Sequence, residues 1–187
     1  MAQSRDVAVL VGSLRKGSLN RMTAEGLARL APDSLALRIV EIGRLPLYDQ
    51  DLDDEGRPPS EWTDFRERVK EADALLFVTP EYNRSVPGVL KNAIDVGSRP
   101  YGQSAWEGKP GGVVSVSPGA MGGFGANHHL RQSMVFLNVP MMQMPVAYVA
   151  GAGDSFDEQG ELNARTAGFL RKFMTAYAAW VEKILAS

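Results

Sequence analysis

Apolar positions gather in short runs along the chain, and between them lie stretches with helical spacing. Val7-Ala8-Val9-Leu10-Val11 is a continuous run ending at Gly12, the signature of a strand buried on both faces. From Ser18 the spacing turns helical, with Leu19, Met22, Leu27 and Leu30 on one side and Pro32 closing it. A second strand is predicted from Leu35 to Ile42, followed by a polar loop from Tyr48 to Pro59 dense in Asp, Gly and Pro. Ser60 is placed to cap a helix through Ala72 whose apolar side carries Trp62, Phe65, Val69 and Ala72. Ala74 to Val78 is the third strand and the clearest buried run. A helix beginning at Pro87 follows, carrying Val89, Leu90, Ala93 and Ile94. The fourth strand is predicted at Gly112 to Ser117. A Gly-rich turn from Pro118 to Gly125 leads into a helix at Asn127 to Leu137. Pro145 to Val149 reads as a fifth strand, and Leu162 to Leu185 as a long last helix.

Strands that alternate with helices in this way imply a parallel sheet covered on both faces. Right-handed crossovers leave few windings, and the five-stranded one of order 2-1-3-4-5 is the flavodoxin-like α/β/α sandwich. A length of 187 residues suits a single domain over 1–187.

Composition narrows the function by exclusion. A net charge of −2 offers no basic excess to neutralise phosphates, which argues against nucleic acid as a partner. The chain has no cysteine, which removes disulfides, thiolate nucleophiles and Cys-ligated metals. Its two histidines, His128 and His129, are adjacent and diverge on a helix, so no HExxH-type metal site is expected. No apolar span nears twenty residues, and no basic-then-apolar leader precedes the first strand; the expected setting is the cytoplasm, with no membrane partner.

In an open parallel sheet, ligands bind beyond the carboxyl ends of the strands where the winding reverses, here between strands one and three. After strand one comes Gly12-Ser13-Leu14-Arg15-Lys16-Gly17-Ser18-Leu19-Asn20-Arg21. It combines amides at a helix N-terminus with hydroxyls, a side-chain amide and a guanidinium, which suits a phosphate dianion. Neither GxGxxG nor GK[ST] is present, and the GxSxG elbow is absent too. The plainer alternative makes Ser18 only a helix cap and Arg15 a solvated surface residue.

After strand three, Thr79 to Gly88 sets Pro80, Glu81, Tyr82 and Asn83 between two prolines, a rigid ledge for a flat heteroaromatic ring; the alternative is a strand-to-helix connection with Ser85 as cap. Glu81 invites a general-base reading, but a carboxylate that is solvated or accepts local amide bonds fits it better. After strand four, Ser117 to Gly123 permits close backbone approach, or is simply a flexible turn. Strands one, three and four are neighbours in this topology. A ligand with a phosphate at one end and a flat polar ring at the other fits across their loops, and flavin mononucleotide (FMN) has that shape.

Four segments, GSLRKGSLNR (Gly12 to Arg21), LPLYDQDLD (Leu45 to Asp53), TPEYNRSVPGVLKNAIDVGSRP (Thr79 to Pro100) and SVSPGAMGG (Ser115 to Gly123), together resemble the NADPH-dependent FMN reductase family, in its chromate and quinone reductase branch. The resemblance implies that Ser13, Arg15, Ser18 and Asn20 hold the FMN phosphate. It also implies that Pro80, Glu81, Tyr82 and Asn83 line the isoalloxazine, with Ser117 and the turn after it at the ring's other edge. It further implies NADPH or NADH as electron donor and small acceptors, reduced in a two-stroke reaction with no catalytic side chain. Homodimers or homotetramers built on the Leu90 to Pro100 helix and nearby loops are implied as well. One departure is Val96, where relatives often carry Trp; it bears on dimer packing or the pocket wall rather than on FMN binding. The competing reading is a flavodoxin-type electron carrier or a redox-sensing FMN module.

Overall fold

The computed structural model describes residues 4–186. Its elements run β1 (Arg5–Val11), α1 (Leu19–Leu30), β2 (Leu35–Ile39), α2 (Gln50–Asp54), α3 (Ser60–Glu71), β3 (Ala74–Thr79), α4 (Gly88–Gly97), β4 (Gly111–Val116), α5 (Phe124–Phe136), β5 (Ala147–Val149), a 3-10 turn (Ala152–Ser155) and α6 (Ala164–Leu185). The five strands are parallel, in the order β2-β1-β3-β4-β5. This is the expected flavodoxin-like winding.

Continuous apolar strands make sense because each face of the sheet is covered. Val7, Val9 and Val11 of β1, with Ala74, Leu76 and Val78 of β3, point toward α1 and α6 and pack on Leu27, Phe173 and Tyr177. The alternate residues Ala8, Leu10, Leu75 and Phe77 point the other way, onto Trp62, Phe65, Leu90, Trp106 and Leu130. The Tyr177 ring lies over Gly112, where a Cβ would stand 2.9 Å from it, and the buried Tyr177 hydroxyl donates to the Leu75 carbonyl at 2.7 Å.

Several sequence expectations are corrected. The polar stretch after Tyr48 contains the short helix α2. Ser60 is not the cap of α3: Pro59 holds that position, and the Ser60 hydroxyl turns instead to the Glu61 carboxylate. Ser85 does not cap α4 either, since Pro87 occupies the cap position with no side-chain bond. Helix α5 begins at Phe124 rather than Asn127, β2 ends at Ile39, and β5 starts at Ala147. Val96, on the inner face of α4, is wholly buried in the core shared with α3, so it forms neither a pocket wall nor an exposed packing surface.

The Leu45 to Asp53 segment owes its position to three side chains from other elements. Trp62 Nε1 donates to the Pro46 carbonyl at 3.0 Å. Asn92 of α4 donates to the carbonyls of Leu45 and Pro46 and accepts from the Tyr48 amide. Arg66 of α3 grips Asp53 with two bonds of 2.8 and 2.6 Å while its Nε donates to the Val96 carbonyl at 2.9 Å. The Arg66 and Asp53 side chains are only 8% and 3% exposed, and the guanidinium sits 5.6 Å from the Trp62 ring centroid. Burial, together with the neighbouring Asp53 charge, raises the pKa of the Tyr48 phenol.

Candidate cofactor site

Strands β1, β3 and β4 end side by side, so the loops that follow them share one edge of the sheet. Gly12 brings the first two loops together. Its amide donates to the Val78 carbonyl, and a Cβ there would stand 3.1–3.2 Å from Thr79, Leu90 and Pro80.

The loop after β1 is rich in polar groups that the protein itself does not use. The backbone amides of Ser13, Leu14, Arg15, Leu19 and Asn20 donate to no protein acceptor. Asn20 is 6% exposed, yet its side chain makes no hydrogen bond within the protein, leaving a buried Oδ1 orphaned. Such a group is ordinarily satisfied by a ligand or by water. Ser13 is half-buried, and Arg15 is exposed without an ionic partner. Arg21, by contrast, is drawn aside to Glu41 and Glu25. Ser18 does cap α1, accepting from the Arg21 amide at 3.3 Å, which leaves its own proton free to donate. Positive potential therefore collects at the start of α1, where the helix dipole adds to it.

The loop after β3 folds into a tight turn. Tyr82 and Ser85 exchange backbone hydrogen bonds of 3.1 and 3.0 Å, with Asn83 and Arg84 between them at φ +52 and +63. Left-handed backbone in a non-glycine residue costs roughly 1 kcal/mol or more, so outside contacts must hold this turn. Tyr82 presents a half-exposed ring toward the first loop. Together with Gly12, Leu14, Arg15, Pro87, Gly88 and Val89 it lines a cavity of about 390 Å³.

Arg15 and Tyr82 are thus brought to one cavity, with buried Pro80 against Gly12 beneath it. Asn83 is exposed on the turn. The Glu81 carboxylate is directed away, to the Ala126 amide of α5 at 3.0 Å. Ser117, at the end of β4, accepts from the Gly119 amide at 3.1 Å and does not line the cavity. Leu14, Pro87 and Val89 line it although their sequence context carries no chemical signal. Behind the β4 turn runs a buried relay that sequence reasoning missed. Arg131 Nε donates to Asn127 Oδ1, Asn127 Nδ2 to Ser115 Oγ, and Ser115 Oγ to the Gly122 carbonyl. Burial lowers the Arg131 pKa from its usual value.

Larger hollows of about 550 and 730 Å³ flank the site, one beyond β5 and the other beside α3. Among the described residues, no group of three or more His, Asp or Glu is placed to hold a metal ion.

A parallel sheet of this order, with free anion donors after β1 and an aromatic ledge after β3, defines the flavodoxin-like class of ligand-binding α/β proteins. The match to the family described as NADPH-dependent FMN reductase covers residues 5–154, and the chain belongs to that family. It is 64% identical over 182 residues to a quinone reductase from Pseudomonas putida, covering 97% of each chain. It is 46% identical to a 2-hydroxy-1,4-benzoquinone reductase from Burkholderia sp, covering 94% of this chain and 96% of that one. Among solved structures it is similar to FerB, a flavoenzyme NAD(P)H:(acceptor) oxidoreductase from Paracoccus denitrificans. That match has a TM-score of 0.89 and 41% identity, and covers 96% of this chain and 98% of that chain. FMN is therefore the cofactor, and the chain is an oxidoreductase.

Proposed function

We propose that this chain, one domain over 1–187, carries electrons from NADPH or NADH to quinones. Free flavins, azo compounds and metal oxyanions such as chromate are further acceptors. The observation behind this reading is the cluster of unbonded donors after β1, opening beside the cavity of the Tyr82 ledge. A phosphate monoester of a polyol needs several donors plus a group that both donates and accepts. Asn20 supplies the latter, with Nδ2 for a phosphate oxygen and the orphaned Oδ1 for a hydroxyl. Ser13, Arg15, Ser18 and Asn20 then hold the phosphate. Pro80, Tyr82, Asn83 and the Glu81 backbone border the ring, and Ser117 with the turn after it takes the far edge. The names of the Pseudomonas and Burkholderia relatives support quinones as acceptors.

When bound, FMN would supply the redox chemistry, hydride acceptance from a nicotinamide and electron donation to the second substrate. The side chains bind and orient; none is assigned as an acid or base. NAD(P)H and acceptor use the exposed site in turn, so double-reciprocal plots at varied NADPH and quinone are expected to be parallel. Anaerobic NADPH alone should bleach the yellow protein. A flavin that stays oxidised would mean an electron carrier, and intersecting lines would end the two-stroke scheme. Arg15→Ala is expected to weaken FMN binding by about 10–100-fold, the value of a hydrogen bond to a charged group. Equal affinity in a titration of the apoprotein would make Arg15 a surface residue only.

No described helix is long and apolar enough to cross a membrane. We place the protein in the cytoplasm, as a homodimer or homotetramer. The apolar face of α4 is turned into its own core, and an exposed apolar surface that supports assembly through this helix and its neighbouring loops lies just after it. There Tyr101 lies 85% exposed near Phe136, at 78%.

A further inference from the structure

Helix α5 starts without a cap of its own. Its cap position is Gly123, held at φ +75 with no room for a side chain, because a Cβ would stand 2.9 Å from Ser115 Cβ. The missing acceptor comes from the ledge loop. Glu81, whose side chain is 12% exposed, accepts from the Ala126 amide, with its charge at the positive end of the helix. The same loop is tied again one turn further along α5, where Ser85 Oγ and His129 Nδ1 lie 2.7 Å apart. Just before the first tie the surfaces touch through Gly125: a Cβ there would stand 2.9 Å from Glu81 Oε2 and 3.1 Å from the Arg84 carbonyl. The segment so held contains the two left-handed residues Asn83 and Arg84, which a free turn would tend to relax. Arg84 does not share the task. It is 81% exposed and reaches Glu81 only at 3.4 Å.

We propose that α5 is the positioning element of the flavin ledge: Glu81 and His129 clamp the Tyr82–Asn83 turn to the helix start and so fix how the ring is held and how readily it is reduced. This rests on the reading of that turn as part of the FMN site. Glu81 is then a positioning residue, acting through the backbone it holds rather than as a base. A ledge that shifts by a few tenths of an ångström alters the hydrogen bonds its backbone offers the ring, and with them the relative stability of oxidised and reduced flavin.

The test compares Glu81→Ala, Glu81→Gln, Gly125→Ala, Ser85→Ala, His129→Ala and His129→Asn with the parent. The measurements are the FMN dissociation constant of each apoprotein, the visible circular dichroism of the bound flavin and its midpoint potential. Glu81→Ala and Gly125→Ala are expected to weaken FMN by roughly tenfold, the loss of one charge-assisted bond, and to change both the dichroism and the potential. Glu81→Gln keeps an acceptor for the Ala126 amide and should restore most of each. The Ser85 and His129 alanine variants should act alike, with the double variant no worse than either, and His129→Asn should recover. Gly125→Ala separates positioning from folding, because alanine favours a helix over glycine while the new Cβ pushes on the ledge. Variants that match the parent in affinity, dichroism and potential would overturn the clamp, as would a Glu81→Ala defect that glutamine does not repair. A parent that takes up no FMN would instead strike the proposed function itself.

Discussion

Asp53→Ala is expected to lower the free energy of unfolding by about 3–5 kcal/mol, the usual effect of removing one partner from a buried ion pair. The alanine leaves the Arg66 guanidinium almost without solvent, keeping only its bond to the Val96 carbonyl and its place over Trp62. It also removes the ion pair between α2 and α3, so the Leu45 to Asp53 segment is left with its hydrogen bonds to Trp62 and Asn92 and the packing of Leu45, Tyr48 and Leu52 on the core. Urea denaturation of parent and variant measures the difference. A change below about 1 kcal/mol would mean that solvent reaches the pair and screens it as it does a surface ion pair. The paired change Asp53→Leu with Arg66→Met should recover much of the loss, because two apolar groups of similar volume leave no charge stranded.

Asn20→Asp is expected to separate folding from cofactor binding. The change is nearly isosteric and puts a carboxylate in the first turn of α1, where the helix start and its open amides offset most of the cost of burying the charge; apoprotein stability should fall by no more than about 2 kcal/mol. FMN affinity should fall by roughly 100-fold or more. The amide donor is lost, and the new charge opposes the phosphate dianion in a poorly solvated position. Calorimetric titration of the apoprotein with FMN, beside its melting temperature without FMN, reads both effects. Affinity retained within tenfold would remove Asn20 from the phosphate site.

What could be read from the sequence follows from how local each cause is. The runs at Val7 to Val11 and Ala74 to Val78 announce strands because burial on both faces leaves no polar position in them. In the loop after β1 the cap at Ser18 was legible, being set by its own helix, whereas the orphaned Oδ1 of Asn20 was not, because its burial depends on how the rest of the chain packs around it. Nor was the fate of Glu81: its partner is a main-chain amide 45 residues on, and main-chain amides carry no sequence signal. Helix α2 was hidden inside a charged stretch too short to show a period. Val96 looked like a surface or pocket position by comparison with relatives, whereas the helix phase of α4 carries it inward beside Leu90 and Ala93. Ser60 shows the limit of cap rules: the proline before it already fixes the helix entry, so the hydroxyl is left over.

The unbonded amides at the start of α1 link folding to cofactor supply. A ligand that replaces water on these amides binds only the folded chain, where the loop and the helix start are assembled, so FMN bound there stabilises the folded state over the unfolded one by mass action. At a free concentration one hundred times the dissociation constant, that linkage amounts to about 2.7 kcal/mol. The persistence of this protein against proteolysis would then track the flavin status of the cell, with copies lacking the cofactor cleared first.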